Sequence, residues 1–149
     1  MRRCLTKQLL IAFLCLTACV QDTLQELPSL AEEALVNVMV TDPIVINTPN
    51  SFIIVEGQGS KGIIVFNTGI PNVPYRAFDL GCPYISPNDC SARMSVDSGG
   101  VMSCEDCAED EITFTHFNTS VRIGEDTYYL VEYSAVFNGT GIRVTNFNR

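Results

Sequence analysis

Between Leu35 and Asn146 the chain is written in short runs of Val, Ile, Phe and Tyr, each soon cut off by Pro, Gly or Asn. Residues of this kind suit a pleated, half-buried surface, and the runs "LVNVMV", "SFIIVE", "GIIVFN", "YRAFDL", "EITFTHF", "TYYLVEYSAVF" and "GIRVTN" read as strands. Alternation in "ITFTHFN" puts Ile112, Phe114 and His116 on one face and Thr113, Thr115 and Phe117 on the other. "FNGTGIRV" predicts a hairpin with a glycine-rich turn. Helical periodicity is nearly absent and no internal repeat is visible, so the pattern predicts a small all-β sandwich or barrel.

One segment resists this texture. From Gly81 to Asp110 there are four cysteines, two prolines and two adjacent glycines, with little apolar periodicity. It reads as loop with at most a short strand at "RMSV", and a loop of that length in a compact domain needs a staple or a function. Cys82, Cys90, Cys104 and Cys107 are the available staple.

The other three of the seven cysteines fall in "MRRCLTKQLLIAFLCLTAC", which has a basic start and an apolar run from Leu9 to Leu16. That is the layout of a secretory signal, too short to span a bilayer. Its end, "LTAC", resembles the bacterial lipobox, so residues 1–18 read as a lipoprotein signal peptide and Cys19 as the acylated residue. Acyl chains would hold the protein to the membrane, each buried methylene contributing roughly 0.8 kcal/mol. Residues 19–34 are polar, acidic and broken by Pro28, a tether. A single domain, 35–149, follows.

Loss of residues 1–18 takes three of the nine basic residues, leaving six against seventeen acidic ones, a net charge of −11. Such a chain repels nucleic acid and anionic headgroups alike. Membrane attachment therefore falls to the acyl chains on Cys19, and any other partner is an envelope protein that the sequence does not identify.

An exported chain with four remaining thiols meets an oxidising compartment, where disulfides are the default. Metal binding ranks second, because only Cys104 and Cys107 have knuckle spacing while Cys82 and Cys90 are eight apart. Thiol exchange ranks last. Glu105, Asp106, Glu109, Asp110 and Glu111 surround the C-x-x-C pair with negative charge, which raises rather than lowers a thiol pKa.

"GIIVFNTGIPNVPYRAFDLGCPY", followed by "CSARMSVDSGGVMSCEDCAEDEITF" and closed by "YYLVEYSAVFNGTGIRVTN", is similar to Rieske-type iron-sulfur domains, and among them most similar to degenerate Rieske-like lipoproteins of Bacteroidota. The resemblance spans about Lys61 to Asn146. It implies antiparallel sheets with a small cysteine-bearing loop subdomain, about 80–111, inserted between strands. Cys82 matches the cysteine ligand of the family's first loop and Cys104 that of the second, while Tyr84 and Cys107 stand where the family has its histidines. Neutral imidazoles on the outer iron are central to a Rieske centre, so the resemblance implies the fold more directly than the cofactor.

Because the family's two cysteine ligands share one iron, the resemblance also implies that Cys82 faces Cys104 and, by analogy with the family's loop-tying disulfide, that Cys90 meets Cys107. Pairing within each loop is the competitor. A 2Fe-2S cluster on Cys82, Tyr84, Cys104 and Cys107, with Cys90 as a substitute for Tyr84, is the alternative occupant of the site.

Catalytic patterns are otherwise thin. No nucleophile elbow, phosphate-cradling glycine loop or zinc-binding histidine pair is present. His116, the one histidine, reads as a packed or edge-strand side chain, and Asn118 and Asn138 begin sequons. The sequence therefore predicts no enzyme. It predicts a membrane-anchored bacterial envelope lipoprotein, placed at the outer membrane, whose degenerate cluster site is disulfide-bonded and which acts as a structural or interaction module; the alternative is an electron-transfer protein with an altered 2Fe-2S cluster.

Overall fold

The computed structural model describes residues 34–86, 93–104 and 112–147. The signal peptide, Cys19, nearly all of the tether, and Cys90 and Cys107 with their expected pairing lie outside the described residues. The fold is all-β and every strand pairing is antiparallel. The main sheet has six strands: β1 (Asn37–Val40), β2 (Phe52–Val55), β3 (Ile63–Ile70), β4 (Val73–Asp79), β10 (Glu132–Phe137) and β11 (Ile142–Thr145). In space they run β1-β11-β10-β4-β3-β2 and curl into a half-barrel. A three-stranded sheet of β5 (Ser95–Val96), β6 (Met102–Ser103) and β7 (Thr113–Phe114) carries the cysteine loops, and β8 (Ser120–Ile123) with β9 (Asp126–Tyr129) forms a separate hairpin.

The run of consecutive apolar residues opening β3 has a physical reason: the strand is covered on both faces. Ile63 and Val65 join Val36, Val40, Val45, Ala77, Tyr133, Ile142 and Val144 in one core. Ile64 and Phe66 point the other way, into a second core with Phe78, Leu80, Met94, Met102, Phe114 and Leu130. Fully burying one such side chain is worth roughly 1.5–3 kcal/mol, so β3 is the strand on which both layers depend. Met102 and Phe114 come from the small sheet and Met94 immediately precedes it, so this sheet packs on the face of the half-barrel opposite the first core.

Between β1 and β2 the structure places a short helix, α1 (Pro43–Asn47), that the sequence reading did not anticipate. Five residues are too few to display a 3.6-residue period, but the cap is legible. Asp42 accepts from the amides of Ile44 (2.8 Å) and Val45 (3.2 Å), and Pro43 opens the helix where no amide hydrogen is needed. Val45 is buried, and Asn67 Nδ2 donates to the carbonyls of Val45 and Ile46, tying α1 to β3.

Three strand expectations are corrected. "TYYLVEYSAVF" is two strands in two different sheets, because the chain leaves β9 at Leu130 and enters the main sheet at Glu132. Leu130 sits in the second core and donates its amide to Thr119, while the Val131 carbonyl accepts from Asp79. "EITFTHF" is a strand only at Thr113–Phe114. Thr115 Oγ1 then accepts from the amides of Phe117 and Asn118, a local turn that competes with the ladder, and it sets the His116 and Phe117 rings 3.9 Å apart rather than on opposite faces. The segment after Gly81 is not loop with a single strand at most: β6 pairs β5, and Gly81 bridges Arg93. The hairpin at "FNGTGIRV" forms as the sequence predicts, with Phe137 opposite Ile142.

Candidate functional site: the joined cysteine loops

β4 ends where Asp79 hands over to Leu80, Gly81, Cys82 and Pro83. The ladder ends there, Gly81 keeps a single bridge to Arg93, and the first cysteine loop begins. The loop returns alongside its own start: the Leu80 amide donates to the Gly62 carbonyl (2.9 Å) and the Leu80 carbonyl accepts from Met94 (2.7 Å). β5 then turns into β6 through Asp97, whose Oδ1 accepts from the amides of Gly99 (2.8 Å) and Val101 (2.9 Å). This is an Asx-stabilised turn, and it delivers Cys104 directly after β6.

Cys82 and Cys104 form a disulfide across the two loops, with their Cα atoms 5.8 Å apart. They are 1% and 2% exposed and belong to the second core, among Leu80, Met94, Met102 and Phe114. A cross-link over 22 residues is worth about 3 kcal/mol by the chain-entropy account. The sequence resemblance implied this pairing, whereas the residues alone left it open. Tyr84, two residues on, packs its ring near Phe114 and edge-on to Tyr128, each with centroids 6.5 Å away.

The neck of the loops is held by a residue that the sequence reading did not single out. Asp79 is fully buried, and its carboxylate accepts four hydrogen bonds: from the Ser60 amide and hydroxyl, the Gly81 amide (each 2.7 Å) and the Tyr133 hydroxyl (2.9 Å). A buried charge is tolerable when its lone pairs are satisfied in this way. Ser60 comes from the β2–β3 connection, where Gly59 is in the left-handed region (φ +68°); a Cβ there would lie 2.3 Å from Asp79 Oδ2. The readable signal was an acid closing the apolar strand "YRAFDL" just before Gly-Cys. Outside this network, Arg93 makes a bidentate pair with Glu56 (2.6 and 2.8 Å), which lowers the Glu56 pKa and raises that of Arg93.

His116 sits in the turn that follows β7. Its ring is 4.9 Å from Phe66 and 3.9 Å from Phe117, and its Nε2 is buried with no hydrogen-bond partner among the described residues. Burial, followed by the charge of Arg76, holds its pKa below the usual histidine value. Arg76 donates to the His116 carbonyl, pairs through Nε and Nη2 with Glu132 (2.7 and 2.8 Å) and lies 4.8 Å from the Phe78 ring centroid.

Chemically, the centre is a buried, oxidised sulfur pair with a hydrogen-bonded carboxylate at the neck of its loops. Among the described residues no three of His, Cys, Asp and Glu converge as a metal-binding group. The chain matches no protein-family model, no curated protein and no solved structure.

Proposed function

We propose that this chain is a lipid-anchored protein of the bacterial cell envelope in which a Rieske-like domain carries a disulfide where the family holds its cluster, and that it serves there as a structural or interaction module. The observation that carries this reading is the Cys82–Cys104 bond. It joins the two positions that the sequence resemblance assigns to the cysteine ligands. A sulfur committed to a disulfide has no thiolate to give iron, which supports the disulfide over a 2Fe-2S cluster as the occupant of the site. Tyr84, in a histidine position, has its ring packed between Phe114 and Tyr128. A buried, loop-closing disulfide also suits an exported protein, which agrees with the export signal read in residues 1–18 and the acyl site at Cys19.

The test is the absorbance spectrum and metal content of freshly purified, untagged protein. The reading expects no visible bands and one equivalent of disulfide between Cys82 and Cys104; visible bands with stoichiometric iron and sulfide overturn it in favour of electron transfer. The anchor is tested separately. Cys19→Ser should leave an unacylated protein that no longer fractionates with membranes, and unchanged partitioning would remove the lipoprotein half of the proposal.

A further inference from the structure

We propose that Asn138 is a site of spontaneous succinimide formation, through which the tip of the β10–β11 hairpin converts to aspartate and isoaspartate. Asn138-Gly139 is the one Asn-Gly pair in the sequence, and Asn138, Gly139 and Thr140 are all exposed. The geometry goes beyond the dipeptide. The Asn138 side-chain carbonyl, Oδ1, accepts three hydrogen bonds: from the Thr140 amide (3.1 Å), the Thr140 hydroxyl (2.9 Å) and the Gly141 amide (3.1 Å). Donors gathered on one carbonyl oxygen polarise its carbon and stabilise the oxyanion that forms when a nucleophile adds. The nucleophile is the neighbouring Gly139 nitrogen, which makes no hydrogen bond among the described residues. Gly139 has φ +95°, and nothing beyond its chain neighbours lies within 4 Å of where its Cβ would be, so no other part of the described chain covers the residue on that side.

The reaction needs only water and its base. Solvent base removes the Gly139 amide proton, the nitrogen bonds to Asn138 Cγ, and the Cγ–Nδ2 bond breaks, with Nδ2 taking a proton from water and leaving as ammonia. Water then opens the five-membered imide at either carbonyl. Opening at one gives aspartate; opening at the other gives isoaspartate, with the extra methylene moved into the backbone. No electrons are transferred. Among the described residues the leaving Nδ2 is held only by a contact to Met39 Sδ at 3.7 Å. The isoaspartyl form lengthens the turn that the Asn138 amide and Gly141 carbonyl close at 3.0 Å, and it adds a negative charge at the tip.

The experiment holds the oxidised full-length protein at mildly alkaline pH and physiological temperature. Conversion is followed by peptide mapping and by methyl transfer to isoaspartyl carboxylates, with the same chain unfolded in urea alongside. The proposal expects Asn138 to convert ahead of Asn50 and Asn118, and at least as fast in the folded protein as in urea. Thr140→Val, which deletes one donor at an exposed site, should slow the folded-state reaction about fivefold, the rate equivalent of one hydrogen bond, and leave the rate in urea unchanged. An Asn138 that persists as the amide, a folded rate about tenfold below the urea rate, or a Thr140→Val rate equal to the parent's overturns it.

Discussion

Asp79 Oδ1 accepts the Gly81 amide at 2.7 Å, so a carboxylate buried within the main sheet also fixes the backbone one residue before Cys82. The same carboxylate takes the hydroxyl of Tyr133 from β10 and both donors of Ser60 from the β2–β3 connection. Three separate parts of the chain therefore meet on one side chain, and the position of the disulfide follows from it.

Asp79→Asn keeps the size of the side chain but replaces one accepting oxygen with an amide that can only donate. On either oxygen one of the two donors is a hydroxyl that can turn to accept, while the other, the backbone amide of Ser60 or Gly81, then faces a donor. Leaving that one buried group unsatisfied costs about 1–3 kcal/mol, and a loss of that size in chemical denaturation is expected. Tyr133→Phe removes a single hydroxyl and should cost about 1 kcal/mol. In a double-mutant cycle the two changes should couple, because they share an acceptor; strict additivity would show that the Tyr133–Asp79 bond contributes nothing.

Reduction of the Cys82–Cys104 disulfide should cost about 3 kcal/mol. The loss should be uneven, because β5, β6 and β7 are two residues long each and depend on the cross-link, whereas β3 is buried on both faces. Hydrogen exchange before and after reduction checks this: amides of 93–104 and 112–114 should lose protection well before those of 63–68. Equal acceleration in both segments would show that the disulfide does not hold the small sheet selectively.

Arg76 makes three different contacts with one planar group: the fork to Glu132, the His116 carbonyl and the Phe78 face. Lysine keeps the charge but cannot make a fork and two further contacts at once. Arg76→Lys is therefore expected to cost about 1–2 kcal/mol and to loosen the turn at 115–118, read as faster exchange of the Asn118 amide. A variant with parent stability and an unchanged turn would reduce the guanidinium to a surface charge.

How much of this was legible follows from the length scale of each signal. β2, β3, β4 and β11 were readable because their apolar residues are contiguous or flanked by turn formers, and Gly139 announced its hairpin. The pairing of Cys82 with Cys104 came from a resemblance to a family; spacing alone left three connectivities. What escaped was set by partners distant in sequence. Asp79 is one carboxylate among many until Ser60 and Tyr133 arrive 19 and 54 residues away. The break at Leu130 is invisible in an unbroken β-favouring run, because it is imposed by two sheets claiming its two ends. His116 followed the same rule: alternation put it in a strand, and the Thr115 side chain diverted the backbone into a turn.

That turn gives the protein a titration that can be assigned to one residue, since His116 is its one histidine. Its folded-state pKa is lowered, by burial first and by Arg76 second. Above about pH 6.5 the ring is neutral in both the folded and unfolded chain, so it makes stability independent of pH there. As the pH falls below that value the unfolded chain takes up the proton first, and stability declines until the pH reaches the lower folded value. The slope cannot exceed about 1.4 kcal/mol per pH unit, one proton's worth. Glu132, the carboxylate paired with Arg76, is already engaged, so an imidazolium at 116 adds a second cation beside the guanidinium. Denaturant midpoints measured between about pH 5 and 7.5 should fall with acidification in the parent and stay flatter in His116→Phe, whose ring keeps the contacts with Phe66 and Phe117. Parallel curves for the two proteins would place the acid sensitivity on carboxylates instead.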